Sequence, residues 1–339
     1  MRFSASAFAP ACASPNHCET DPLRLYPDAS GGEAAVTRYR VFPGMELDYR
    51  DVHARACREL RDGSGERLEI HHCLEGRVEY RQNGRYFYLS PGDLAVARTS
   101  SLPLDSRFPT GHYHGITVTI DPAAAPECLS CILSDVEVRP ATLMEKLCPG
   151  RTVFTARSSR RVKHVFSELY AVPEDIRKGY LKVKLLELLL FLSTLSPEDG
   201  QTPHGCTAAQ VTLAEQVKAR LLAESDRTLT LKSLSQQFNV SEAQIKSSFT
   251  GVYGMSPASY ARSQRMHGAA ALLRETDRTV LDIACQFGYD NASKFAKAFR
   301  DVIGVSPREY RAGAEYDSCA PQLGEKPVSL SDADAERRI

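Results

Sequence analysis

The chain has 339 residues, and its 42 Lys and Arg side chains equal its 42 Asp and Glu side chains in number. This length can hold two domains with separate cores, and the balanced net charge argues neither for nor against binding to nucleic acid. No apolar run approaches the roughly 20 residues that span a bilayer, and the first residues lack a signal peptide's basic start and apolar core. We expect a cytoplasmic protein with no membrane segment, whose ten cysteines are reduced thiols.

Short strands are predicted from residue 34 to about 122, after an Ala-, Ser- and Pro-rich segment, 1–30, for which little order is expected. Residues 66–80 alternate between two faces, and Asn83-Gly84 is a strong hairpin signal. Short strands with Gly and Asn turns favour a β-barrel or jelly roll. The candidates for an effector pocket inside it are Tyr80, Tyr86, Tyr88, His112 and His114.

The histidines of this half raise a metal alternative. His71 and His72 are neighbours on a predicted strand, so they point to opposite faces. His112 and His114 share a face, and one of the first pair could join them in a three-nitrogen site. The other interpretation is polar lining of a ligand pocket. We predict no metal and no cofactor.

The pair Cys128-Leu129-Ser130-Cys131 has the spacing of half a zinc site or of a redox motif. Neither a second Cys pair nor a thioredoxin-like pattern accompanies it. We interpret the two thiols as neighbours on one face of a short helix, with metal or redox sensing as the alternative.

Helical periodicity replaces the strand pattern between residues 159 and 195. Two apolar stripes follow one another, and they consist of Val162, Val165, Phe166, Leu169 and Tyr170, then Leu181, Leu185, Leu188, Leu189 and Leu192. They predict two antiparallel helices that pack against the strands or against a second copy of the chain. Residues 196–207, which are polar and rich in Pro and Gly, are the predicted linker.

Residues 231–253 have the pattern of a helix-turn-helix unit. Leu234 and Phe238 share one face of a short helix, Asn239 occupies a turn that needs left-handed backbone, and Ser241 caps the next helix. The outward face of that helix could enter the major groove of DNA. It consists of Glu242, Ala243, Gln244, Lys246, Ser247 and Thr250.

Residues 280–303 repeat the pattern. Ile283 and Phe287 lie on the first helix, Gly288 supplies the turn, and Phe299 anchors the second helix. The residues left for the groove and the DNA backbone are Asn291, Ser293, Lys294, Lys297 and Arg300.

Both units end in the same pattern. Residues 249–260 and 299–310 share Phe, Gly, Ser, Pro and Tyr at identical spacing, where Gly closes one helix and Ser-Pro opens the next. A helix predicted over 259–275 joins the units. A stiff joint of this kind would place two recognition helices in successive major-groove faces, about 34 Å apart.

The stretch from about Val211 to Arg311 resembles the DNA-binding domain of the AraC/XylS family of bacterial transcription regulators. The match is carried by Ile283-Ala284, Phe287-Gly288-Tyr289, Ser293, Phe295, Lys297, Phe299-Arg300, Gly304, Ser306-Pro307 and Tyr310-Arg311. The run from Leu74 to Ala97 resembles the cupin-like sensor domain that precedes many such domains. Ser247 and Thr250 stand where basic residues are common in the family, so base readout by the first recognition helix would rest on Gln244 and Lys246.

The resemblance implies an α+β multidomain protein. A cupin-like β-barrel with a helical dimerisation hairpin would occupy 31–195, an all-α tandem helix-turn-helix domain 208–311, and a disordered tail 312–339. The protein would be a homodimeric, non-enzymatic regulator, most simply an activator, that binds promoter DNA beside RNA polymerase and senses a small-molecule effector. Two alternatives stay open: a metal-dependent cupin enzyme fused to a DNA-binding domain, and a DNA-binding dimer that responds to no effector.

Overall fold

The computed structural model describes residues 25–27, 31–59, 65–82, 84–126, 138–150, 152–157, 160–200, 205–223 and 230–313. Asn83, the Cys128–Cys131 pair and most of the two terminal segments lie outside these ranges. The chain divides into two compact units, an N-terminal unit that ends at Ala261 and a C-terminal unit that begins at Arg262. Within the described ranges, no helix is long and apolar enough to cross a membrane.

Short strands make up most of the N-terminal unit. Strands β1 to β11 span Leu25–Pro27, Gly32–Phe42, Met45–Ala54, Ala56–Glu59, Leu68–Gly76, Val78–Gln82, Arg85–Leu89, Asp93–Arg98, Asp105–Arg107, Tyr113–Ile120 and Phe154–Arg157. They form a large sheet in the order β11-β8-β5-β10-β3-β2, a small sheet in the order β1-β4-β9, and a β6–β7 hairpin. All pairs are antiparallel. A strand-rich, antiparallel domain is therefore confirmed, although the described strands do not close into a barrel.

Strand alternation gives the large sheet two faces with different neighbours. On β10, Ile116 and Val118 face an aliphatic core beneath helices, whereas Tyr113 faces the opposite side. That opposite side packs against the β6–β7 hairpin, which contributes Val78 and Tyr80 to the second core. The sheet is thus covered on both faces.

Helices α1, α2 and α3 span Pro140–Leu147, Arg160–Tyr170 and Arg177–Thr194 and cover the first face. The five leucines of the second predicted stripe, on α3, are at most 2% exposed and pack on the same core as the α2 stripe. Burying one leucine contributes roughly 1.5–3 kcal/mol, so these stripes stabilise the domain of a single chain. Ile176 and Val183 remain exposed on the outside of α3.

Gly76 ends β5 in the left-handed region, with a φ of 75°, and an added Cβ would lie 2.0 Å from the carbonyl oxygen of His112. Gly111 also has a left-handed φ, but nothing lies within 4 Å of its Cβ position. We expect Gly76→Ala to lower the free energy of unfolding by about 3 kcal/mol or more, and Gly111→Ala by only about 1–2 kcal/mol. Urea denaturation of both variants measures the difference, and equal losses would contradict a role for the close contact.

The remaining helices follow the predicted linker. Helices α4 to α10 span Ala208–Ala223, Leu231–Phe238, Glu242–Tyr253, Pro257–Glu275, Val280–Gln286, Ala292–Ile303 and Pro307–Arg311. In the N-terminal unit, α4, α5 and α6 share a core that includes Val217, Leu234 and Phe249. The C-terminal unit has its own core, in which Phe295 and Phe299 are fully buried. Each helix-turn-helix unit therefore has its own apolar centre.

Candidate nucleic-acid interface and sensor cavity

Local hydrogen bonds fix the turn of the first helix-turn-helix unit, α5 and α6. The Thr230 hydroxyl accepts from the backbone N–H of Ser233 and caps α5, and the Ser241 hydroxyl accepts from the N–H of Gln244 and caps α6. Between them Asn239 adopts a φ of 52°, and it is the one non-glycine residue with positive φ in the described ranges. The turn predicted at Asn239 and the cap predicted at Ser241 are confirmed.

Helix α6 buries one side and exposes the other. Ile245 and Phe249 are fully buried. The exposed residues are Glu242, Ala243, Gln244, Lys246, Ser247 and Thr250. Because this face carries one acidic and one basic side chain, its attraction to phosphates is small, while its amide and hydroxyl groups suit base edges.

The second unit, α8 and α9, also has side-chain caps on both helices and a left-handed residue at its turn. The Thr279 hydroxyl caps α8, and Gly288 forms the turn with a φ of 75°. The Asn291 side-chain oxygen accepts from the N–H groups of Ser293 and Lys294 and so caps α9. The predicted DNA contact Asn291 therefore also has a structural role, which leaves its side-chain NH₂ group for other partners.

Helix α9 presents more positive charge than α6. Ser293, Lys294, Lys297 and Arg300 are all exposed. Three of these four side chains are cationic, and cations supply most of the affinity of a protein for the DNA backbone. The capacity to bind phosphate is therefore concentrated in the second recognition helix.

A cavity lies between the hairpin and the second face of the large sheet. The space in it that can hold the centre of a water molecule is about 20 Å³, which is room for about one water molecule. It is lined by Arg50, Glu59, His71, Val78, Glu79, Tyr80, Leu102, Pro103, Ser106, Phe108 and Tyr113. Its lining combines aromatic rings with buried charged groups. It could therefore accept a small polar molecule if the hairpin moved to widen it.

Arg50 is the cation of this cavity. Its Nη2 lies 2.7 Å from Oε1 of Glu59. Burial acts to lower the pKa of Arg50, but nearby carboxylates, Glu59 first, raise it above its ordinary value. The buried Nε of Arg50 has no hydrogen-bond partner among the described residues, so it could donate to an oxygen of a bound molecule.

The five residues predicted to line an effector pocket lie in three places. Tyr80 lines the cavity. Tyr86 and Tyr88 lie on the other face of the hairpin, in the core shared with α6. His112 and His114 lie together elsewhere, with ring centroids 6.4 Å apart. An effector contact for any of the five stays a prediction.

The described residues do not bring His71 or His72 together with the later histidine pair. His72 stacks on Phe166, with ring centroids 4.0 Å apart. His71 lies on the opposite face, where its Nδ1 is 3.1 Å from the hydroxyl of Thr117. In the described ranges, the group of three potential metal ligands is instead Asp51, His53 and His114. Sequence reasoning missed Asp51 and His53, although their alternation on one strand was readable.

Burial, with a smaller contribution from Lys163, lowers the pKa of His72 from 6.5 to about 3. Because the unfolded chain binds this proton near pH 6.5 and the folded chain only near pH 3, stability falls as the pH drops between these values. His72→Phe keeps an aromatic ring against Phe166 but has no group to protonate. We therefore expect its free energy of unfolding to fall less than that of the wild type between neutral pH and about pH 4, by up to a few kcal/mol. Denaturation at neutral and acid pH measures it, with exposed His164→Gln as the control. A variant as acid-sensitive as the wild type would contradict the assignment.

Sequence reasoning also missed a junction between the hairpin and the first helix-turn-helix unit. Nη1 of Arg77 lies 3.2 Å from the carbonyl oxygen of Thr250, in the last turn of α6. Tyr86 and Cys206 exchange two backbone hydrogen bonds, of 2.9 and 2.8 Å. An added Cβ at Gly254, which ends α6, would lie 2.6 Å from Nη1 of Arg77. The end of a recognition helix is therefore held directly by the strand-rich domain.

Comparison with known proteins supports the interpretation of this geometry. A family model described as a helix-turn-helix domain matches residues 234–313, which include most of both units. An uncharacterized HTH-type transcriptional regulator of Escherichia coli K12, YdiP, is 24% identical over 275 residues, covering 77% of this chain and 88% of that protein. The arabinose operon regulatory protein of Salmonella typhimurium is 24% identical over 259 residues, covering 71% and 82% of the two chains.

A solved structure described as a probable AraC family transcriptional regulator from Rhodopseudomonas palustris is 30% identical and covers 30% of this chain and 97% of its own, with a TM-score of 0.29. The matches to the two regulator sequences are longer than the helix-turn-helix half of this chain, so they extend into the strand-rich half. Together with the two helix-turn-helix units, the two sequence relationships indicate a DNA-binding transcriptional regulator that is similar to regulators of the AraC type.

Proposed function

We propose that this regulator binds promoter DNA through the exposed faces of α6 and α9, and that a small polar effector in the cavity controls this binding. The observation that carries the proposal is the position of the β6–β7 hairpin. One of its faces borders the cavity, and the other contacts the first helix-turn-helix unit. A molecule in the cavity would therefore be one strand layer away from a recognition helix.

The two faces of the hairpin follow from strand alternation. Tyr80 and Leu89 point into the second core of the sheet domain, beside the cavity. Tyr86 and Tyr88 point the other way, into the core that α4, α5 and α6 share. Glu79 connects them, because it lines the cavity and its Oε2 accepts the hydroxyl of Tyr88 at 3.1 Å. A shift of β6 would be transmitted to the tyrosines that support α6.

A ligand can shift such a junction only by binding one arrangement better than another. The junction described above would be one of these arrangements, in which Arg77 holds the end of α6. Effector binding would favour a second arrangement, with a different orientation or mobility of the first recognition helix. Coupling of this kind is typically worth 1–3 kcal/mol, about 5- to 150-fold in affinity.

The cavity selects for a class of effector. The unpartnered Nε–H of Arg50 favours a ligand oxygen that accepts hydrogen bonds. Phe108 and Tyr113 offer ring surface on which an apolar part could rest. We propose a compact molecule with hydroxyl or carboxylate groups on a short carbon skeleton.

The assembly and setting are also part of the proposal. The strand-rich domain would be the cupin-like sensor that the run from Leu74 to Ala97 resembles. The regulator would act in the cytoplasm as a homodimer beside RNA polymerase. The leucine stripe of α3 is buried in its own domain. A dimer formed through the α2–α3 helix pair would therefore use the outer side of α3, where Ile176 and Val183 are exposed. Sedimentation of the purified protein tests the homodimer.

The first experiment is salt-dependent binding of the full-length protein to the DNA upstream of its own gene, compared with scrambled DNA of equal length. Selective binding would support sequence-specific regulation and provide an assay for effectors. A panel of hydroxy acids, sugars and other polyols is then screened for a change in DNA affinity. Active compounds should lose their effect in Arg50→Lys, which keeps the charge and removes the Nε donor. Selective DNA binding that no compound of the panel alters would favour the effector-independent dimer.

Arg77→Ala tests the junction without any effector. The variant removes a charged donor that is only 9% exposed and holds the end of α6. We expect amide hydrogen exchange in residues 242–253 to accelerate by roughly tenfold, since a hydrogen bond to a charged group contributes about 1.5–3 kcal/mol. Arg157→Ala is the control, because Arg157 lies on β11 with its side chain 84% exposed. Equal exchange in Arg77→Ala and the wild type would rule out this coupling.

A further inference from the structure

Two imidazoles and one carboxylate meet at the end of the large sheet, away from the residues that line the cavity. Asp51 and His53 are alternate residues of β3 and share one face of the strand. His114 is the register partner of Asp51 on β10. The three side chains are brought together by the pairing of two strands that are about sixty residues apart in the chain.

The distances in this cluster are those of ligands around a small metal ion. Oδ1 of Asp51 lies 3.1 Å from Nε2 of His53 and 3.3 Å from Nδ1 of His114. One ligand atom from each residue lies within 4.8 Å of the others. Two ligands bound at about 2.0–2.1 Å from a tetrahedral metal lie roughly 3.3 Å apart, which is close to both of the measured oxygen–nitrogen distances.

The carboxylate oxygen at the centre of this cluster is buried. Oδ1 of Asp51 is a buried atom for which the described residues provide no well-directed hydrogen bond, although two ring nitrogens lie within 3.3 Å of it. Buried polar oxygens usually have a partner, and an ion between the three ligand atoms would be one.

We propose that Asp51, His53 and His114 bind one divalent transition-metal ion, with Zn²⁺ as the best fit. Two imidazole nitrogens favour zinc and its neighbours in the first transition row over Mg²⁺ and Ca²⁺, which prefer all-oxygen ligands. Two further carboxylates border the site, because Glu75 is a register partner of His114 and Glu33 is the partner of His53. Their negative charge favours a cation, and water or one of them can complete the coordination.

The site is open enough to exchange its ion. The His53 side chain is 39% exposed, whereas those of Asp51 and His114 are 16% and 7% exposed. An ion held there would cross-link β3 and β10 near the strand ends. Metal binding to the folded state alone raises the unfolding temperature, so the site would stabilise this end of the sheet. This proposal does not depend on the effector or on DNA binding.

The test uses tag-free full-length protein that has been treated with chelator and dialysed. Zn²⁺ is titrated by calorimetry, and Co²⁺ by its visible absorption, which reports coordination number and ligand type. We expect one equivalent of either metal at this site, no thiolate-to-cobalt band, and an unfolding temperature that rises with metal. His53→Gln and His114→Gln should each weaken the binding by roughly 100-fold or more, since losing even an indirect partner of a ligand costs 10–100-fold.

Two control variants distinguish the proposed site from other side chains that could bind the added metal. His164→Gln removes an exposed histidine of α2 and should leave binding unchanged. Cys128→Ser/Cys131→Ser removes the paired thiols and should also leave it unchanged. His53 is exposed enough that its replacement should not unfold the domain, which circular dichroism checks. Wild-type binding in His53→Gln, loss of binding in the Cys variant, or no binding by the wild type would each overturn the proposal.

Discussion

Replacing both Lys297 and Arg300 by Ala is expected to weaken DNA binding by roughly tenfold or more and to lower the slope of log affinity against log salt by about 2. Both side chains are exposed on α9, and each could neutralise one phosphate. Arg300 lies 4.0 Å from Glu309, between charged atoms of two exposed side chains, and such a surface pair contributes little to stability. Fluorescence anisotropy at several salt concentrations measures both quantities.

Two further variants sharpen this experiment. Lys178→Ala removes one exposed positive charge from α3 and should change neither the affinity nor the salt slope. Gln244→Ala on α6 should keep the salt slope but reduce discrimination between the natural site and point-mutated sites, because an amide reads base edges rather than phosphates. An unchanged slope in the α9 double variant would show that Lys297 and Arg300 do not contact the DNA backbone.

Asp48→Ala is expected to lower the free energy of unfolding of the strand-rich domain by about 3–5 kcal/mol. Asp48 and Arg38 are register partners on β3 and β2, and they form a two-pronged ion pair with distances of 2.6 and 2.5 Å. Their side chains are only 1% and 8% exposed. Removing the carboxylate leaves a buried guanidinium whose remaining acidic neighbour, Glu46, lies 3.3 Å from Nη1. Chemical denaturation of the variant measures the loss.

The matched control removes both charges. Arg38→Met/Asp48→Leu should recover most of the stability lost in Asp48→Ala, because an apolar pair of similar volume avoids the cost of a buried, unpaired ion. If stability is recovered, the loss in Asp48→Ala is caused by the unpaired charge of Arg38 rather than by the missing side-chain volume. A single variant that loses less than about 1 kcal/mol would instead show that water reaches Arg38.

The sequence by itself predicted the DNA-binding half in detail, because its signals are local. A left-handed turn at Asn239 and the Ser241 cap depend on residues a few positions apart, and both were confirmed. The helical period likewise determined which side of α6 and α9 is buried, since Phe249 and Phe299 occupy the predicted inward positions. Short-range backbone hydrogen bonding and amphipathic periodicity are properties of the chain before it folds.

Only the tertiary structure decided what the strand-rich half places together. Alternation correctly set His71 and His72 on opposite faces, but the pairing of β3 with β10 was needed to bring Asp51 beside His114. The contact of Arg77 with Thr250 joins residues 173 positions apart. Such contacts depend on strand order and register, which are set by the packing of whole faces rather than by neighbouring residues. For that reason the sequence identified a DNA-binding regulator, while the cavity, its junction with α6 and the proposed metal site emerged only from the fold.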